Sequence, residues 1–259
     1  MKKKGSDEEI RLEFSRIAQP VEGDLIEVTA RVLSSKEAIG MPPRDDFALV
    51  RGKEKIIEAN FRGFKGHAFS AAEVEFTGSV SEIIQLPLDH IPERAMFFAA
   101  LNAVLASRGM IKRTVHCRDD DPMLCGEKLG DYLSGMRPRP RSVALIGYQP
   151  GMTKTLASLC REKDIRFEAT DMNPSNVGHD LFGVTIRDGN ENEQVIRDAD
   201  QIFCTGSTMV NGTIWNILDW CEKYTTRVVF FGVTIQGPAT LMGWNTFCPY
   251  GRSPHDEPL

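Results

Sequence analysis

The segment Val143–Gly151, VALIGYQPG, is an apolar run that ends in a glycine-containing turn. Further along, FEATDMNPSN at Phe167–Asn176 holds a second short run, which ends at the acidic Asp171. Between Gly147 and Asp171 lie 23 residues. That is room for a turn, one helix and the start of a second parallel strand, the spacing of the first unit of a nucleotide-binding sheet. The pattern places a ligand crevice in the second half of the chain and leaves the ligand open.

The alternation continues downstream. Strands are expected at Ser142–Ile146, Ile165–Thr170, Val184–Ile186, Asp200–Cys204 and Arg227–Phe231. Helices are expected at Thr153–Cys160, Glu193–Arg197 and Gly212–Cys221, the last capped by Thr213 or Asn211. Apolar strands alternating with short helices form a parallel, doubly wound sheet. The first half has a different rhythm. It offers a helix at Asp7–Gln19 and strands at Leu25–Leu33, Phe47–Val50, Ile56–Phe61, His67–Ala71 and Thr77–Leu86. A helix at Pro92–Ser107 follows, with an Ala-rich face suited to packing on something flat, and a short one at Glu127–Leu133. Strands followed by helices indicate a small α+β unit. Arg137–Arg141, RPRPR, suits neither a helix nor a central strand and marks a linker, with an anion-binding hook as its other reading. The expected fold is thus α/β: a smaller α+β domain at 1–136 and a Rossmann-like parallel-sheet domain at 137–259. A chain of 259 residues can build both cores.

Charge and cysteine usage exclude several classes. The formal net charge is -5, and no basic cluster exceeds the terminal Lys2–Lys4, so no nucleic-acid surface is expected. No apolar run approaches the roughly 20 residues of a membrane span, and none follows the lysines as in a signal peptide. A cytoplasmic location is expected. The six cysteines are scattered without a CxxC pair, so disulfides are not expected; Cys160 and Cys204 suit a core.

The chemistry gathers at the expected strand ends, where such sheets bind ligands. Gly147 and Gly151 bracket the first loop; Asp171, Asn173, Ser175 and Asn176 form the second. Thr205, Gly206, Ser207, Thr208 and Asn211 form a third, and Gly237 lies in a fourth. The loop GYQPG departs from both GxGxxG and the Walker pattern, yet the amides of Gly151, Met152 and Thr153 could meet an anion at a helix terminus. Asp171 either accepts from a ribose or caps its own loop. Ser207 lacks a GxSxG elbow and is not expected to be a nucleophile. Arg187 either neutralises ligand charge or forms a surface ion pair.

A second candidate is Val115–Cys125, VHCRDDDPMLC. His116, Cys117 and Cys125 offer imidazole and thiolate donors for zinc or a late transition metal. The competing reading is a polar loop with two core cysteines, since on a strand His116 and Cys117 would face opposite ways. His67, with Glu73 and Glu75, could reach the second domain. His179 is expected near the crevice, His90 at a helix start and His255 in an exposed tail.

The succession GYQPG, DMNPSNVG, TGSTMVNGT and GVTIQGPATLMG resembles the DUF364 family, the heavy-metal chelation domain, preceded by a DUF4213 domain similar to the enolase amino-terminal domain. The resemblance implies an enolase-N-terminal-like domain docked on a Rossmann-like domain, with a site between them that binds a metal or metal chelate. It carries Gly147, Asp171, Asn173, Ser175, Asn176, Thr205, Gly206, Ser207, Thr208, Asn211 and Gly237 onto the cleft, and no catalytic residue. It implies no enolase chemistry, which needs carboxylates on a barrel. The expected function is binding of a small anionic ligand, a heavy metal or its chelate. The alternative is an enzyme with an adenine-containing cofactor, a dinucleotide or S-adenosylmethionine. Self-association through the Ala-rich helix into a homo-oligomer is a third expectation.

Overall fold

The computed structural model describes residues 5–29, 40–41, 55–70 and 74–255. The strand expected at Phe47–Val50, the end of that at Leu25–Leu33, and Glu73 lie outside the described residues.

Helix α1 (Asp7–Ala18) starts where the Ser6 side chain accepts the Glu9 amide. It buries Ile10, Phe14 and Ala18, spaced by four residues along one face. Strands β1 (Leu25–Thr29), β2 (Lys55–Phe61), β3 (Phe64–Ser70) and β4 (Glu75–Ser79) form an antiparallel sheet in the order β3-β2-β1-β4. The strand expected to run to Leu86 stops at Ser79, and α2 (Val80–Ile84) follows. The reason is a capping box. Ser79 Oγ accepts the Glu82 amide, and the Glu82 carboxylate accepts the Ser79 amide. Satisfying two helix-end donors outweighs the strand preference of Val80, Ile83 and Ile84, which turn inward together.

Helix α3 (Ile91–Ser107) is buried at every position from Arg94 to Ala106. A helix apolar all round needs cover on all sides. Sheet strands β2 and β3 pack on one side and the second half of the chain on another. Gly66 permits the close approach: a Cβ there would lie 2.3 Å from Ala99 O and Ala103 N. The Ala-rich face therefore does meet a flat surface.

The second sheet holds β5 (Ser142–Ile146), β6 (Arg166–Asp171), β7 (Asp180–Leu181), β8 (Val184–Asp188), β9 (Gln201–Thr205), β10 (Arg227–Phe231) and β11 (Thr246–Phe247). Its order is β11-β10-β9-β5-β6-β8-β7, parallel throughout except for β7. Counting from β5, this is the 3-2-1-4-5-6 order of dinucleotide folds with a hairpin strand added, and it reverses direction between β5 and β9. Helices α5 (Pro150–Glu162), α6 (Asn192–Arg197), α7 (Ile214–Tyr224) and α8 (Gln236–Met242) connect the strands.

Helix α4 (Asp121–Gly135) is longer than the expected Glu127–Leu133 and packs on the second sheet. Its Cys125, Leu129 and Leu133 join Leu145, Leu156 and Phe203 in one apolar cluster. The opposite sheet face, with Ile146, Ile202 and Phe230, is continuous with Ile10, Phe97 and Leu101 of the first half. The two halves thus share a core. The fully buried Asn102 of α3 pins it: its Nδ2 donates to His67 O and Val233 O, and its Oδ1 accepts the Gly237 amide. After β11 the chain crosses back, and Arg252 pairs with Val115 while Arg113 donates to Cys248 O.

Candidate functional site

A cavity of about 440 Å³ opens beyond the carboxyl ends of β5, β6, β9 and β10. It sits at the reversal of strand order, where open α/β sheets hold ligands. The floor begins with Gly147, at φ +91, whose amide donates to Thr170 O. A Cβ there would lie 2.4 Å from Thr205 Cγ2, so only glycine lets the first loop meet the end of β9.

Asp171 organises the second loop. Its Oδ2 accepts the Tyr148 amide at 3.0 Å and Asn176 Nδ2 at 3.1 Å, and its Oδ1 accepts the Asn173 amide at 2.7 Å. Of the two roles open to it, loop capping is therefore realised. In the third loop, Thr205 Oγ1 and Ser207 Oγ lie 3.1 Å apart, and Thr208 Oγ1 donates to Thr205 O. Gly147, Asp171, Asn173, Asn176, Thr205, Gly206, Ser207, Thr208 and Asn211 all line the cavity.

Gly151, Ser175 and Gly237 are not among its lining residues. A Cβ on Gly151 would lie 2.5 Å from Pro122 O, and one on Gly126 would lie 2.2 Å from Gly151 O. The start of α5 is thus pressed against α4. Its amides are taken as well: Met152 N donates to Gln149 Oε1 and Thr153 N to Gln149 O. At the anion-binding terminus expected at Gly151–Thr153, Gly151 is therefore turned to α4 and the Met152 and Thr153 amides are taken by Gln149, while Gln149, Pro150 and Met152 line the cavity. Gly237 serves the Asn102 junction. Arg187 is held by Glu168 and Glu191, which makes it an ion-pair residue.

The opposite wall comes from the first half. Phe69 lines it, with its amide donating to Thr234 Oγ1 at 3.1 Å, and His116, Cys117 and Cys125 join it, along with Cys248 from the chain after β11. His116 and Cys117 both face the cavity because the chain leaves Val115 as an irregular segment, so strand alternation does not apply. The His116 ring meets Phe69 edge-on, with centroids 5.2 Å apart, and its Nδ1 lies 2.6 Å from Cys117 O. A carbonyl only accepts, so Nδ1 carries the proton. Burial lowers the His116 pKa to about 4. Burial, and then the neighbouring thiols, push Cys117 well up and Cys125 to about 12; burial alone pushes Cys248 to about 11, against the Gly251 amide and Arg113. These groups are neutral at pH 7. Among the described residues, no three His, Cys, Asp or Glu side chains are grouped to hold a metal ion.

His67 is buried and does not line the cavity; its Nε2 lies 2.9 Å from Glu58 Oε2. His179 is exposed beside the second loop without lining the cavity, and His90 stands at the N-cap of α3. His255 is exposed, stacked edge-on against Phe64.

Residues 136–244 match the DUF364 family, described as "Putative heavy-metal chelation". The fold agrees. A DUF364-family protein of unknown function from Pyrococcus horikoshii, PH1506, superposes with a TM-score of 0.55 at 15% identity, covering 88% of this chain and 79% of that one. One from Desulfitobacterium hafniense gives 0.51 at 11%, covering 86% and 77%. No curated protein matches. The DUF364 match spans the loops of β5, β6, β9 and β10, whereas His116, Cys117, Cys125 and Cys248 all lie outside it.

Sequence reasoning missed Phe69, Asn192 and Cys248 as lining residues. Asn192 Oδ1 accepts the Thr170 hydroxyl at 2.7 Å, a partner 22 residues away that no local pattern marks. Cys248 has no local motif; the return of the chain to Val115 puts it there.

Proposed function

We propose that the protein binds a small anionic ligand, a heavy metal or its chelate, in the cleft between its two halves. One observation carries this. One cavity is lined both by oxygen and amide groups, from Asp171, Asn173, Asn176 and Ser207, and by imidazole and thiol groups, from His116, Cys117, Cys125 and Cys248. Hard groups suit the carboxylates and hydroxyls of a chelator; sulfur and nitrogen suit a late transition metal. No cage of three donors exists among the described residues, and the volume is that of a small organic molecule, so the residues fit a metal inside a chelate better than a bare ion. A bound metal would supply a Lewis acid, and His116 with Cys117, Cys125 or Cys248 would face it.

The test is native mass spectrometry with elemental analysis of untagged protein purified without chelator. Stoichiometric metal, or a metal-bearing small molecule, lost in a His116→Ala/Cys117→Ser variant supports the proposal. Protein that neither retains such a species nor takes one up on addition overturns it.

The second reading is an enzyme with an adenine cofactor, favoured by the strand order and by Asp171 at the end of β6. The Met152 and Thr153 amides, both taken by Gln149, weigh against a pyrophosphate there. A retained adenine compound without metal would select it. With either reading go a cytoplasmic location, no nucleic-acid or membrane partner, and a first domain at 1–136 of the enolase-N-terminal, DUF4213 kind; the self-association expected through the Ala-rich helix has no surface to use, because α3 is buried within its own chain from Arg94 to Ala106. Among the described residues, no helix is long and apolar enough to cross a membrane.

A further inference from the structure

The cavity wall built by the first half contains one side-chain atom prepared for a ligand. His116 Nδ1 is committed to Cys117 O, which leaves Nε2 with its lone pair. Nε2 makes no hydrogen bond to the described residues, and His116 lines the cavity. Phe69 packs edge-on against the ring, and the His116 backbone amide donates to His67 Nδ1 at 3.1 Å, which fixes the main chain that carries the ring. His67 Nδ1 is therefore the acceptor, and its Nε2 carries a proton toward Glu58. The two histidines thus adopt opposite tautomers: Cys117 O sets that of His116, and the His116 backbone amide together with Glu58 sets that of His67. A carbonyl on the far nitrogen is the arrangement found behind imidazoles that ligate metals.

We infer that His116 Nε2 is the atom by which the first half of the protein grips the occupant, taking one open coordination position on a soft or borderline metal that a chelator already holds. This rests on the chelate reading above and narrows it to one atom. Coordination through Nε2 forms one nitrogen–metal bond, displaces a water from the metal and releases no proton. Glu58 and His67 are positioning residues. The chelator's anionic groups extend toward Asn173, Asn176 and Ser207, and its own donors supply the ligands that the wall lacks.

The experiment uses the full chain labelled with ring-15N histidine. The exposed His90, His179 and His255 are assigned by His→Gln substitution, which leaves His67 and His116 to be told apart by tautomer. The probes are cadmium(II) iminodiacetate, a chelate with open positions, and cadmium(II) alone. The expected result is a His116 Nε2 signal that is unprotonated in the free protein and shifts with the chelate. Calorimetry should give at least tenfold weaker chelate binding in His116→Ala. The wild-type spectra decide the matter even where that variant does not fold. A protonated Nε2 in the free protein overturns the inference. So does a chelate that shifts the Asn173 and Asn176 amides but not Nε2, while leaving the chelate reading intact. An equal Nε2 shift from cadmium alone at the same concentration overturns the chelator's part. No shift at any cavity residue removes both.

Discussion

Gly147 and Thr205 touch across the point where the strand order reverses, with room for no Cβ between them. Gly147 also sits at φ +91, where an L-residue is strained. Gly147→Ala should therefore cost about 2–4 kcal/mol, combining backbone strain with overpacking. Urea unfolding measures it. An unchanged midpoint would mean that the two loops do not meet as described.

Asp171 spends its carboxylate on three donors within its own loop and the first one. Asp171→Ala leaves the Tyr148 and Asn173 amides without that acceptor, at about 1–3 kcal/mol. Hydrogen exchange should quicken at Tyr148 and at Asn173–Asn176 and remain unchanged in β2 and β3. Ligand binding should weaken along with that loosening.

Arg94 ties three parts of the chain. Its guanidinium donates to Asp7 Oδ2 at 2.6 Å, to Leu88 O at 2.8 Å and to Met209 O at 2.7 Å. Arg94→Met retains the stem and removes the fork. The expected loss is about 2–4 kcal/mol, below the fully buried range because Asp7 is partly exposed. Asp7→Asn should cost less, since the carbonyl partners persist. Equal stability of Arg94→Met and wild type would refute the anchoring of the Thr205–Asn211 turn through Met209.

His116 makes stability depend on pH. Its pKa is 6.5 when unfolded and about 4 when folded, because burial disfavours the cation. Between these values the unfolded chain binds more protons, so stability rises with pH. The contribution is complete above pH 6.5 and is lost as pH falls toward 4, up to about 3 kcal/mol. Glu58 adds a loss of the same sign at lower pH. Burial pushes its pKa up, but the hydrogen bond from His67 and the nearby Lys65 outweigh burial and hold it below 4.5. Urea midpoints of metal-free protein from pH 7 to 4.5 should fall less steeply in His116→Gln than in wild type.

Much of the second sheet was legible because parallel strands buried on both faces must be apolar runs separated by crossovers. VALI, FEAT, QIFC and RVVFF each became a strand at the expected place. Nine of the loop residues chosen from those strand ends line the cavity. The errors have physical causes. Thr77–Leu86 was misread because two capping hydrogen bonds at Ser79 and Glu82 outweighed β-branched composition. Gly151 was misplaced because the packing of α4 on α5 is a contact between segments that no local pattern records.

By itself, the sequence determined the period of its apolar residues, and through it the strands, helices and glycine turns that local geometry demands. Tertiary structure alone decided which strand ends meet, that α4 presses on the start of α5, and that the chain after β11 returns to lay Cys248 beside His116 and Cys117. Periodicity acts over a few residues through backbone geometry. Proximity across more than a hundred residues arises from the burial of a shared core, and a linear pattern does not encode it.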